Sequence, residues 1–165
     1  ALGKLKKEEA SLADDRKRLD SEKSLLLREL KRVRDEEHSR FSPRPVLNNR
    51  YQLIKLLGRG GFSEVWHALD LLAVREVAVK VHQLSSHWSQ EKKANYIRHA
   101  TREYSIHKSL RHDRVVRLFE VFEIDVNSFA TVLEYCRGPD LDWILKSRTT
   151  LPEREARVIL MQVLA

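Results

Sequence analysis

The stretch LLGRGGFSEVWHALD, Leu56 to Asp70, decides how this chain is read. It holds three of the five glycines, Gly58, Gly60 and Gly61, between segments that alternate at every second residue. Before them runs YQLIKLL (51–57); after them Ser63, Val65 and His67 oppose Phe62, Glu64, Trp66 and Ala68. REVAVKV (75–81) follows, with Val77, Val79 and Val81 on one face and Ala78 and Lys80 on the other. A period of two marks half-buried strands, so the glycines join two strands and a third comes next. Such a junction is either a tight turn or a cradle whose backbone N–H groups approach a phosphate, which only small residues permit. The glycines alone fit both readings.

Context narrows the choice. A Walker loop needs Gly-Lys-Ser/Thr at the opening of a helix, and no Lys follows these glycines. A dinucleotide fingerprint needs a helix straight after the loop, where a strand stands instead. What remains is a strand–loop–strand flap over a nucleotide, or a bare turn. Lys80 ends VAVK on the face of Ala78, and a lysine aimed into a cleft is costly unless it meets anions. Glu103 lies 23 residues further on, in a charged helix expected across SQEKKANYIRHATREYSIHKSL (89–110), which would return past the sheet and present a carboxylate to Lys80. Loop, lysine and glutamate together favour the flap.

The rest of the chain supplies the frame. Residues 2 to about 37 lack proline, and Leu5, Leu12, Leu19, Leu26 and Val33 recur every seven residues, a helical stripe that suits a short coiled coil. With these as d positions, the a positions are Leu2, Glu9, Arg16, Lys23 and Leu30, so only the ends of the seam are apolar. SRFSPRPVLNN (39–49), with two prolines, ends the helix and reads as a linker. VVRLFEVFEI (115–124) and SFATVLEY (128–135) read as two strands joined by a turn. DLDWILK (140–146) opens a helix with Asp140 as N-cap. A last helix begins at Pro152 and carries Ala156, Ile159, Leu160 and Val163 as its expected buried stripe. The chain ends in that helix at Ala165, which points to further sequence.

With 42% hydrophobic and 33% charged residues, the composition is that of a globular chain with a highly charged portion. No apolar run approaches the eighteen or so residues of a membrane-spanning helix, and one cysteine, Cys136, suits a reducing compartment. The net charge of +7 favours acidic partners. Direct nucleic-acid binding is not expected, because no aromatic-interleaved basic motif or zinc-finger spacing accompanies that charge. The seven histidines show no metal-ligand spacing, so no metal site is expected in the chain itself. A basic stretch, Arg98, Arg102, Lys108, Arg111, Arg114 and Arg117, surrounds Glu103 and suits a solvated face or a phosphorylated loop.

From about Asn49 onward these residues resemble the small lobe of a eukaryotic protein kinase. More narrowly, NNRYQLIKLLGRGGFSEVWHALD, WSQEKKANYIRHATREYSIHKSL, TVLEYCRGPDLD, LPEREARVILMQ and the upstream LLLRELKRVRDEEHSRF are similar to the tousled-like serine/threonine kinases. The resemblance implies an α+β fold: a charged helix or coiled coil (1–38), a linker (39–49), a small lobe of antiparallel sheet plus one helix (50–135), and the hinge and first helices of a large lobe (136–165). It implies ATP as cofactor. Leu57, Gly58, Gly60 and Ser63 would form the glycine-rich loop, and Val65 and Ala78 would sandwich the adenine. Lys80 would hold the α- and β-phosphates and pair with Glu103 in the active state. Leu133 would be the gatekeeper, the backbones of Glu134 and Cys136 would meet the adenine edge, and Asp140 would take the ribose. The resemblance further implies a nuclear enzyme, self-associating through coiled coil, with histone chaperones among its protein substrates.

Three features depart from the general kinase pattern. Ser63 stands at the third glycine position, His107 takes a helix position that many kinases fill with an apolar residue, and a long insert separates Lys80 from Glu103. By the same resemblance the catalytic Asp and the Mg²⁺ ligands come after the last helix, so the chain alone is expected to be inactive. The competing expectation is a truncated or pseudokinase regulator that acts through its coiled coil.

Overall fold

The computed structural model describes residues 2–148 and 150–164. The chain divides into two compact units, Arg32–Arg137 and Ala1–Lys31 with Gly138–Ala165. The first is built on a six-stranded antiparallel sheet of order β1-β2-β3-β4-β6-β5, formed by β1 (Val46–Leu47), β2 (Tyr51–Arg59), β3 (Ser63–Asp70), β4 (Arg75–Gln83), β5 (Leu118–Asp125) and β6 (Ser128–Glu134). One helix, α2 (Gln90–Ser109), lies between β4 and β5 in the chain. The α+β architecture expected from the sequence is present.

Alternation places the core on one face of this sheet. Trp66 and Ala68 from β3, Val77, Val79 and Val81 from β4, and Ala130 and Val132 from β6 are buried together with Tyr51, Leu53 and Leu56 of β2. Strand β2 departs from strict alternation. Register shifts between Leu53 and Lys55 and between Leu56 and Gly58 reset its phase twice, so that Leu56 enters the core and Lys55 faces out. A bulge inserts a residue opposite none, which keeps an apolar side chain inside where simple alternation would bury a lysine.

Residues 39–49 are not a passive linker. Phe41 and Leu47 are core members, and Val46–Leu47 pairs with Tyr51–Gln52. Helix α1 ends at Glu37, six residues before Pro43, and burial of the two large apolar side chains fastens the segment to the sheet. Asp70, fully buried at the end of β3, receives two hydrogen bonds from the guanidinium of Arg50, 2.7 Å from Nε and 2.8 Å from Nη2. These bonds outweigh its burial and lower the Asp70 pKa to about 2.

The second unit contains most of α1 (Leu2–Glu37), α3 (Leu141–Arg148) and α4 (Glu153–Leu164). Asp140 caps α3 as expected, accepting from the Trp143 N–H at 2.7 Å. Its other carboxylate oxygen accepts from Arg28 Nη2 at 2.7 Å. Helix α4 opens on the Pro152 carbonyl, which accepts from the N–H groups of Glu155 and Ala156. The expected buried stripe of α4 is a correction. Leu160 and Val163 are exposed, Ala156 is exposed and Ile159 is half-buried, so this apolar face lacks cover among the described residues.

Candidate functional site

Register assembles what sequence spacing could only suggest. Across the antiparallel ladders, Gly58 stands opposite Val65, Val65 opposite Lys80, Lys80 opposite Thr131 and Thr131 opposite Val121. Cross-strand partners share a face, so Gly58, Val65 and Lys80 form one row. The next row on that face runs Lys55, His67, Ala78, Leu133 and Leu118. Thus five of the residues singled out in the sequence, Gly58, Val65, Ala78, Lys80 and Leu133, lie on one face of the sheet, opposite the apolar core.

The glycine-rich loop joins β2 to β3. It is closed by the Gly60 N–H donating to the Ser63 carbonyl at 2.7 Å. Among the chain's glycines, only Gly138 has positive φ. A Cβ added at Gly58 would meet nothing within 4 Å, and one at Gly60 would meet only ordinary contacts with Ser63, the nearest at 3.4 Å. The fold of the turn therefore requires glycine at neither position. A Cβ at Gly58 would enter open space beside the strand row that holds Lys80. Leu57, at the second bulge, is exposed.

Lys80 and Glu103 line one cavity of about 570 Å³, together with Leu133, Thr131, Tyr104 and His107. The two charged groups make no ion pair within 4.0 Å among the described residues. The cavity separates the later half of α2 from the sheet, and α2 has no buried residue. Its first half is held by aromatic contacts. Tyr96 Oη lies 2.9 Å from His82 Nδ1, His82 stacks on Phe129 with ring centroids 4.5 Å apart, and Trp88 touches both Tyr96 and Phe62 at the tip of the loop. Burial, with Lys80 nearby, lowers the His82 pKa to about 4. His107 donates from Nε2 to the Val116 carbonyl at 2.6 Å, so its ring joins a hydrogen bond where an apolar residue was the general expectation.

At the other end of the site, Glu134 stands at the end of β6. Its N–H donates to the Arg117 carbonyl at 2.8 Å, and its carboxylate accepts from the Arg117 N–H at 3.1 Å. Cys136 is exposed, with a free thiol. The segment is fastened by residues that the sequence did not single out. Glu76 accepts from Arg137 Nε at 2.8 Å and from His67 Nε2 at 3.1 Å, and His67 stacks on Tyr135 at 4.3 Å. The Arg137 bond chiefly holds the Glu76 carboxyl below the usual range. Asp140 belongs to the other unit, where Arg28 and the Trp143 N–H lower its pKa. Among the described residues no group of three or more His, Cys, Asp or Glu is placed to hold a metal ion.

A sequence profile of the protein kinase domain matches residues 51–165. The chain belongs to the protein kinase family. Its relatives are serine/threonine kinases of the tousled group. It is 56% identical over 162 residues to the serine/threonine-protein kinase TOUSLED of Arabidopsis thaliana, covering 98% of this chain and 24% of that protein. It is 54% identical to tousled-like 2 of Homo sapiens and 49% identical to tousled-like 1 of Caenorhabditis elegans, again over 98% of this chain, and covers 21% and 17% of those proteins. The chain thus spans a quarter or less of the length of these kinases. These aromatic and ionic contacts left no mark in the sequence because each joins residues distant in the chain, on different strands, in α2 and the insert before it, or in the segment after β6.

Proposed function

We propose that this kinase chain is the nucleotide-binding part of a serine/threonine protein kinase that transfers the ATP γ-phosphate to protein hydroxyls. The observation that carries it is the strand row of Gly58, Val65 and Lys80, with Ala78 and Leu133 in the next row of the same face. Bound ATP supplies the phosphoryl group, and protein kinases use it with Mg²⁺. The residues present fit the nucleotide: Gly58 leaves space a Cβ would fill, and Lys80 offers a cation with no ion pair among the described residues. In this reading the N–H groups around Gly58, Gly60 and Ser63 cradle phosphate oxygens. Leu57, Val65 and Ala78 cover the adenine, Leu133 bounds it, and the backbones of Glu134 and Cys136 meet its edge. Lys80 binds the α- and β-phosphates once α2 brings Glu103 to it.

Substrates follow from the resemblance and the charge. Histone chaperones, a nuclear setting and self-association through α1 are part of the same proposal, and the net charge of +7 suits acidic partners. The test is Lys80→Met in the full-length protein. Transfer to a protein substrate should fall by at least about 10²-fold, the scale of losing one preorganised electrostatic contact. Because Lys80 is half-buried and makes no ion pair among the described residues, the melting temperature should stay as it was. Retained transfer would reject the reading. A second reading, a regulator without transfer activity, is favoured by the exposed leucine stripe of α1 and gains if the unmutated protein binds nucleotide yet transfers nothing.

A further inference from the structure

Past Gln52, strand β2 has no strand on its outer side among the described residues, because β1 pairs with Tyr51 and Gln52 alone. An edge strand presents backbone groups that need partners. At Leu56, two residues before Gly58, these partners are side chains from the last two turns of α1. Glu36 Oε2 accepts from the Leu56 N–H at 3.2 Å, and Arg32 Nη1 donates to the Leu56 carbonyl at 3.3 Å. Glu36 is itself buried and held by Arg32 and by Arg44, whose Nη2 donates to Oε1 at 2.8 Å. On the far side of the loop, Ser39 Oγ donates to Glu64 Oε2 at 2.6 Å, one residue after Ser63. Glu64 is 2% exposed, Ser39 is 5% exposed, and the same carboxylate oxygen accepts from Trp66 Nε1 at 3.2 Å. The short segment 32–39 therefore grips both strands of the flap, at Leu56 where the chain enters it and at Glu64 where it leaves.

We propose that Glu36 and Ser39 are positioning residues for the glycine-rich flap. By fixing its two flanking strands they reduce the freedom the loop must lose when it closes over a nucleotide. This inference rests on the nucleotide reading above. Buried charged groups that merely stabilised the fold would be expected anywhere along the sheet, whereas these act on the two strands within two residues of the loop. A loop ordered beforehand binds its ligand more tightly because less entropy is lost on binding. The consequence is specific: affinity for nucleotide depends on segment 32–39, and affinity for the protein substrate does not.

The experiment uses the full-length protein with Glu36→Ala, Ser39→Ala and the conservative Ser39→Thr. A fluorescent analogue, mant-ADP, reports nucleotide affinity, steady-state kinetics report the KM for ATP and for protein substrate, and hydrogen exchange reports residues 57–63 without nucleotide. Glu36→Ala and Ser39→Ala should each weaken mant-ADP binding and raise the KM for ATP about tenfold, the scale of one lost charge-assisted hydrogen bond. The KM for protein substrate should stay unchanged, exchange across 57–63 should quicken, and Ser39→Thr should restore all three. Unchanged nucleotide affinity, or an equal rise of both KM values with a lowered Tm, would overturn the proposal. If Glu36→Ala does not fold, Ser39→Ala carries the test alone, since it removes a single hydroxyl. Should the unmutated protein bind no mant-ADP, the nucleotide reading fails, and exchange at 57–63 still separates a clasped loop from a free one.

Discussion

His82 shows how one residue's surroundings set a pH dependence. Its ring is pressed on Phe129 and bonded to the Tyr96 hydroxyl, with Lys80 and Thr131 on the same face of the sheet. Burial chiefly, and the nearby Lys80 charge, lower its pKa from 6.5 to about 4. Between those values the unfolded chain takes up a proton that the folded chain refuses. Stability therefore rises with pH across that window, is complete above it, and is lost as pH falls toward 4. His82→Phe keeps an aromatic ring against Phe129 and removes the titration. From pH 7 to pH 5 the melting temperature should drop less in this variant than in the unmutated chain. An equal drop would show that another group carries the acid sensitivity. At this scale the sequence was half legible: alternation placed Ala78 and Lys80 on one face correctly. It was silent on Glu36, Ser39 and Glu64, because a buried glutamate looks like a solvated one until its partner, 20 or 25 residues away, is brought beside it.

Among the elements, the β1–β2 turn was present in the sequence and easily passed over. Asn48 and Asn49 have φ of 50° and 51°, and the Arg50 N–H closes the turn on the Leu47 carbonyl at 3.0 Å. Two left-handed central residues define the hairpin turn that matches strand twist, and asparagine is among the few side chains that accept this geometry. The asparagine pair was thus a hairpin signal. It lay beside two prolines that argued for an extended linker, and the local rule gave way to burial of Phe41 and Leu47 in the core. Asn48→Val should cost about 1–2 kcal/mol, the penalty of forcing an L-residue with a branched side chain left-handed. Asn49→Gly should be neutral or slightly stabilising. Urea unfolding followed by the fluorescence of the fully buried Trp66 measures both. A neutral valine would mean that the hairpin tolerates loss of its turn. By contrast the bulges of β2 left no readable mark. Nothing in YQLIKLL distinguishes a strand that alternates from one that twice resets its phase to keep Leu56 inside.

At the scale of the whole molecule, most of α1 lies outside the unit that carries the strand rows of the site. Leu5, Leu12, Leu19 and Leu26 recur at heptad spacing and are all at least 59% exposed. The remaining stabilisation of this stretch comes from exposed pairs such as Arg18 with Asp15 and Glu22, which contribute little each. Thirty-six residues of helix with an uncovered leucine stripe gain more from burying that stripe than from any such pair. A second copy is the partner we propose, although Glu9, Arg16 and Lys23 would then stand at a positions, where charge lowers affinity and favours one register. Leu12→Lys with Leu19→Lys removes the middle of the seam without touching segment 32–39 or the strand rows of the site. Sedimentation of the full-length protein should then shift from an oligomer to a monomer while mant-ADP affinity stays as it was. A monomer in the unmutated protein, or an oligomer that survives both lysines, would assign the stripe to some other surface. Loss of nucleotide affinity alongside dissociation would instead mean that assembly through α1 reaches the flap, as the grip of Glu36 in the last turn of that helix and of Ser39 just after it would permit.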